Sequence, residues 1–225
     1  MHILFNGCSY TYGDELLGRE RNRFSTLVSN ELNATHDNIS ECGRGNDAIA
    51  RTTMEWFNAG NTCDLAIIQW SVLSRIEGWN LQWKYYECIT VQTPRKWDKF
   101  YKQYYHAQLG VDTVWKNQYL LEQYFIKNNI KYMFIFHDSF KSFRSINKEN
   151  KAGDKWTEFE RIDEIWEYPC VWRDLVTCKD YHYVIANDDD NHSILTKADY
   201  EGKNSHPNEI GHRKIAHYIL DRVKK

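Results

Sequence analysis

Proline is scarce in this sequence, with three residues in the whole chain, so no Pro-rich linker divides it. A CxxC pair is missing as well. The six cysteines, at 8, 42, 63, 88, 170 and 178, stand apart, which excludes zinc-finger spacing and leaves reduced thiols as the expected state. No apolar run approaches the roughly 20 residues of a membrane-spanning helix. The opening MHILFNGCSY lacks the basic, apolar and small-residue regions of a secretory leader. The expectation is therefore no membrane partner and a cytoplasmic location. Nor does one sign of charge dominate: 29 basic against 31 acidic residues give a net charge of -2, which leaves no electrostatic footprint for nucleic acid.

What the chain does have is enough apolar material for one core. Its 225 residues, 42% hydrophobic and 27% charged, suit a single domain over 1–225. Short apolar runs bounded by turn residues predict buried strands at 3–5, 65–68, 131–136 and 183–186, with a weaker one at 38–42. Between them, helical spacing appears at Phe24, Leu27, Val28 and Leu32, and at Val114, Leu121 and Phe125. The stretch 47–57 offers Ile49, Met54 and Phe57 to a core, and 208–225 offers Ile210, Ile215, Ile219 and Val223. Strand and helix thus alternate from start to finish. That alternation predicts an α/β fold, a mainly parallel five-stranded sheet with helices on both faces. Ligands in such sheets sit at the carboxyl ends of the strands, which draws attention to the loops after 5, 42, 68, 136 and 186.

The first of these loops is Gly7-Cys8-Ser9-Tyr10-Thr11-Tyr12-Gly13. A hydroxyl nucleophile needs a tight turn at a strand end with backbone N–H groups beside it. Ser9 stands in such a turn, although capping a helix would also account for a serine there. Far along the chain, Ser205-His206-Pro207-Asn208-Glu209-Ile210-Gly211-His212 precedes the last helix. Proline biases His206 toward extended backbone, on a stiff loop from which it could take the Ser9 proton. His212 falls one turn into the helix, where packing explains it.

Together these two segments resemble the SGNH/GDSL hydrolase superfamily, whose first block is a Gly-Asp-Ser-like turn and whose last is His-Pro-Asn followed by Gly-His. The resemblance implies a three-layer, flavodoxin-like α/β/α sandwich and a serine ester hydrolase with Ser9 as nucleophile and His206 as base. It implies short acyl groups on a carbohydrate or other small ester as substrate, and neither metal nor organic cofactor. The oxyanion would be held by the N–H groups of Ser9 and Gly43, with Gly45 a competitor for the latter. Asn46 could donate as well, or cap the helix behind it.

Two departures bear on activity. Cys8 replaces the usual acid, and Gln69-Trp70-Ser71-Val72 stands where relatives carry Gly-x-Asn-Asp. Ser71, Gln69 or Arg75 would have to supply the missing donor, with Trp70 and Arg75 as candidates to face the substrate. The orienting acid expected three residues before the histidine is Lys203. Asp199, Glu201 and Asp138 are the acids available instead, and a Ser-His dyad is equally open. The segment 76–112 follows the third strand and is dense in aromatics, including Trp79, Trp83, Tyr85, Tyr86, Trp97 and Tyr101. It reads as an insertion or lid that stacks on a glycan, or as a cover packed on the core. An impaired binding protein, or an acyltransferase using the same pair, would fit these residues too.

Overall fold

The computed structural model describes residues 1–89, 103–105, 107–136, 175–176, 194–195, 199–201 and 206–224. Four strands, β1 (His2–Asn6), β2 (Thr35–Asn38), β3 (Leu65–Trp70) and β6 (Lys131–Phe136), form one sheet in the order β2-β1-β3-β6. Every pairing in it is parallel, with Ile3 opposite Leu65 and Ile67 opposite Met133. Two antiparallel ribbons stand apart from the sheet: β4 (Ile76–Asn80) with β5 (Tyr85–Ile89), and β7 (Tyr200–Glu201) with β8 (His206–Pro207). The helices are α1 (Ser9–Tyr12), α2 (Arg19–Asn22), α3 (Phe24–Glu31), α4 (Asn46–Asn58), α5 (Ala107–Lys127) and α6 (Glu209–Val223). The expected strand at 183–186 lies outside the described residues.

Side-chain alternation along the strands builds the three layers. Ile3, Phe5, Leu65, Ile67 and Ile135 pack under α3 and α6, against Phe24, Val28, Ile215 and Ile219. Leu4, Ala66, Ile68, Trp70 and Phe134 point the other way, onto α4 and α5, against Ile49, Phe57, Val114, Leu121 and Phe125. Each such aliphatic or aromatic side chain contributes roughly 1.5–3 kcal/mol on leaving water. Within α4 the buried stripe runs Ile49, Thr53, Phe57, four residues apart, and this turns Met54 outward. Ile210 is likewise exposed, because α6 buries His212, Ile215, Ala216 and Ile219 instead.

The second strand sits earlier than its expected 38–42. Its residues, Thr35-His36-Asp37-Asn38, carry no apolar run; pairing with β1 and side-chain bonds such as Trp56 Nε1 to Asp37 and Asn38 Nδ2 to Thr11 O fix them. Among the described cysteines, 8, 42, 63 and 88 are unpaired. Burial pushes the Cys63 and Cys88 thiols up to about 11, which keeps them protonated and unreactive near neutrality.

The segment 76–112 opens with the β4–β5 hairpin and ends in the first turns of α5. Arg51 on α4 anchors the hairpin, donating to Glu77 from Nη2 at 2.6 Å and from Nε at 2.9 Å. Its guanidinium also lies 4.0 Å over the Tyr86 ring. Glu77 and Glu55 together hold this guanidinium firmly in its charged form. Arg51→Met should lower stability by about 1–3 kcal/mol, because the 9%-exposed Glu77 carboxylate loses its fork-like partner. Urea unfolding midpoints of the two proteins check this, and equal midpoints would refute it.

Candidate active site

The carboxyl ends of β1 and β3 and the loop after β2 meet at one edge of the sheet. Asn6, wholly buried at the end of β1, fixes the turn that follows. Its Nδ2 donates to Ile49 O at 2.9 Å and Thr53 Oγ1 at 2.8 Å on α4, and its Oδ1 accepts from Gly7 N at 2.8 Å. Gly7 has no room for a side chain: a Cβ would collide with Thr11 Oγ1 and stand 2.9 Å from Gln69 Oε1. Glycine is thus required by close approach. The chain then enters α1 with Ser9 as its first residue, 5% exposed, its Oγ donating weakly to Cys8 Sγ at 3.9 Å. Here Ser9 begins the helix, and Cys8 occupies the cap position.

His206 reaches the same turn on β8. Its backbone pairs with Glu201 across the β7–β8 ribbon, and its ring meets Tyr10 edge-on, with centroids 5.7 Å apart. Asn208 caps α6 by accepting from Gly211 N at 2.9 Å, which sets the ribbon directly against the helix. The two ring nitrogens face acids that sequence reasoning passed over. Nδ1 lies 2.8 Å from Glu15 Oε2, and Nε2 lies 3.8 Å from Asp14 Oδ2. Among the described residues no hydrogen bond joins His206 to Ser9. Two consecutive acids directly behind Gly13 were the available signal.

The other acids lie differently. Asp199 is buried, and its Oδ2 accepts from Lys214 Nζ at 2.6 Å. It therefore serves the base of α6 and not the His206 ring. Glu201 is placed by its backbone alone, and Asp138 lies outside the described residues.

Three expected donors are anchored into the scaffold. Asn46 makes no cap: Oδ1 accepts from Ser71 N at 2.7 Å and Nδ2 donates to Ser71 O at 3.3 Å, so its amide ties α4 to the loop after β3. Gln69 points inward, where Oε1 accepts from Thr11 Oγ1 at 2.9 Å and Nε2 donates to Trp70 O. Ser71 Oγ accepts from Arg75 Nη1 at 3.0 Å. Trp70 corrects its expected role outright. It is wholly buried and stacks on Phe134, so its bulk serves the core and not the substrate.

Gly43, by contrast, sits in a left-handed turn with φ of 81° and open space around it. No hydrogen bond among the described residues occupies its N–H. Its loop adjoins the first one, since Glu41 N donates to Gly7 O at 3.4 Å. Partial desolvation, joined by the nearby Asp14 carboxylate, pushes the Cys42 thiol up to about 12 although the residue is exposed overall. That thiol stays protonated near neutrality and is not a rival nucleophile. Among the described residues no group of three or more His, Cys, Asp or Glu could hold a metal ion.

No protein-family model and no curated protein matches the chain. Solved structures do. A lipase, Lip_vut3, from a goat rumen metagenome is 15% identical, with 98% of this chain and 96% of that one covered and a TM-score of 0.55. A member of the lipolytic G-D-S-L family from Veillonella parvula DSM 2008 gives 12% identity, 98% and 97% coverage and a TM-score of 0.52. The acetyl xylan esterase Est2A of Butyrivibrio proteoclasticus gives 13% identity and a TM-score of 0.51, covering 99% of this chain but 63% of the longer esterase. Sheet order, site position and these likenesses agree: the chain has the SGNH/GDSL hydrolase fold.

Proposed function

We propose that the protein is a serine ester hydrolase that removes short acyl groups from a carbohydrate or other small ester. The observation that carries this reading is that His206, on the last ribbon, packs its ring on Tyr10 against the short helix that Ser9 begins, just after the first strand. In the proposed reaction Ser9 Oγ bonds to the acyl carbon while its proton passes to His206. The carbonyl electron pair moves onto oxygen, where the N–H groups of Ser9 and Gly43 receive it. Collapse expels the alcohol, which takes the proton from His206. Water, deprotonated by the same ring, then releases the acyl group. The Ser9 hydroxyl must turn from Cys8 to His206 when substrate fills the site, and the weak 3.9 Å contact opposes this little.

The hairpin supports a carbohydrate substrate. Trp79 and Trp83 are 52% and 64% exposed, and Tyr85 and Tyr86 are about half exposed. Flat faces of this kind stack on sugar rings, and carbohydrate esterases are among the structures of similar fold. A binding protein that kept the fold is the rival reading, favoured by the inward amides of Gln69 and Asn46. A fluorophosphonate probe followed by intact-mass analysis separates the two. One adduct on the wild type and none on Ser9→Ala is expected. A folded wild type that neither takes the probe nor cleaves a short acyl ester would favour the rival.

A further inference from the structure

The acid expected three residues before His206 is a lysine, and Asp199 serves Lys214. The ring nevertheless has an acid against it. Glu15 Oε2 lies 2.8 Å from Nδ1, with the histidine side chain 12% and the glutamate 26% exposed. Glu15 also adopts a left-handed backbone, with φ of 61°. Residues with a Cβ avoid that region, and they persist there when the surroundings over-determine them, which is common at functional sites. The surroundings are visible: Ser9 O accepts from both Gly13 N at 2.9 Å and Asp14 N at 3.0 Å, which folds the chain back beside α1. One turn thereby carries the serine on one limb and the glutamate on the other.

We propose that Glu15 is the positioning residue of this site: it accepts the Nδ1–H of His206, fixing the ring's orientation and leaving Nε2 as its basic atom. The proposal rests on the serine-hydrolase reading and supplies the member that reading leaves open. Asp14 faces the other nitrogen at 3.8 Å, beyond hydrogen-bond reach. Nε2 is therefore left to receive the serine proton. The Tyr10 ring packs on the imidazole, and His212 is the other titratable group that senses it. The two carboxylates thus flank the ring, one at each nitrogen.

The test combines three variants with a readout independent of turnover. Glu15→Gln should slow fluorophosphonate labelling and ester cleavage about 100-fold or more, with KM moved less than about threefold. Glu15→Asp should restore part of the rate. Glu15→Gly tolerates the left-handed backbone, so it should melt within a few degrees of wild type and still lose the rate. Long-range 15N–1H spectra of the histidine rings report the tautomer. The wild type should hold a single Nδ1–H form of His206, which Glu15→Gln should convert to a mixture. Labelling of Glu15→Gln within about threefold of wild type, with an unchanged tautomer, would overturn the proposal while leaving the hydrolase reading intact. If the wild type itself does not react, that reading falls. The ring spectra then decide alone: loss of the Nδ1–H form in Glu15→Gln upholds the positioning contact, and its persistence overturns it.

Discussion

His206→Gln is expected to lower ester cleavage by about ten-thousandfold to a millionfold, and Ser9→Ala by no less. The two act as a unit, because a serine hydroxyl without a base near it is a weak nucleophile. The double variant should therefore be no slower than the slower single one. Independent contributions would multiply instead, so multiplicative losses would show that Ser9 and His206 do not share a step. A residual rate about 10³-fold above water is expected in all three, supplied by the Gly43 and Ser9 N–H groups and by binding. Single-turnover acylation with a short activated ester measures the cycle. His206 caps no helix and is partly exposed, so the losses should not arise from unfolding.

The second large effect concerns the other histidine of the last block. His212 is wholly buried, stacked on Phe24, with Nδ1 accepting from Phe24 N at 3.1 Å and Nε2 enclosed without a partner among the described residues. That geometry fixes the neutral ring with its proton on Nε2. Burial, with a smaller contribution from the nearby His206, lowers its pKa from 6.5 to about 4. The unfolded chain therefore binds this proton more readily than the folded one. The stabilisation is fully present above about 6.5 and is lost as pH falls toward 4, amounting to about 3 kcal/mol at roughly 1.4 kcal/mol per pH unit. His212→Asn keeps an acceptor near the Phe24 N–H and removes the titration. At pH 7 it should cost about 1–2 kcal/mol through the lost ring volume. Between pH 6.5 and 4 its urea midpoint should fall less steeply than that of wild type. Parallel curves would show that His212 does not contribute to acid sensitivity.

The sequence was most legible where one physical signal dominated. Leu65-Ala-Ile-Ile68 and Lys131–Phe136 are apolar runs between turns, and both became central or flanking strands of the parallel sheet. Ser9 and His206 were visible because glycine and proline mark the bends that place them. β2 was shifted by several residues because backbone pairing and polar cross-links hold it, and these leave no apolar pattern in the sequence. Side-chain destination was harder to read than element type. Trp70, Asn46 and Gln69 all stand beside the site in sequence, yet each turns inward, because the strand end has a core to fill and a loop to anchor. Glu15 stood in plain view behind Gly13 but was hard to single out, for a related reason. Its importance depends on a left-handed residue and on a ring contributed from the far side of the chain.

That distance has a consequence for how the molecule comes into being. Glu15 and His206 are 191 positions apart, and the ribbon carrying His206 reaches the sheet edge together with α6. A ribosome adding roughly 5–20 residues per second needs on the order of ten seconds or more to span that interval. For this time the nascent chain carries a serine turn with no base beside it. Contacts of such high sequence separation also form late in folding. In the proposed site the nucleophile is thus made first and armed last, and a chain interrupted during synthesis would lack its proposed base.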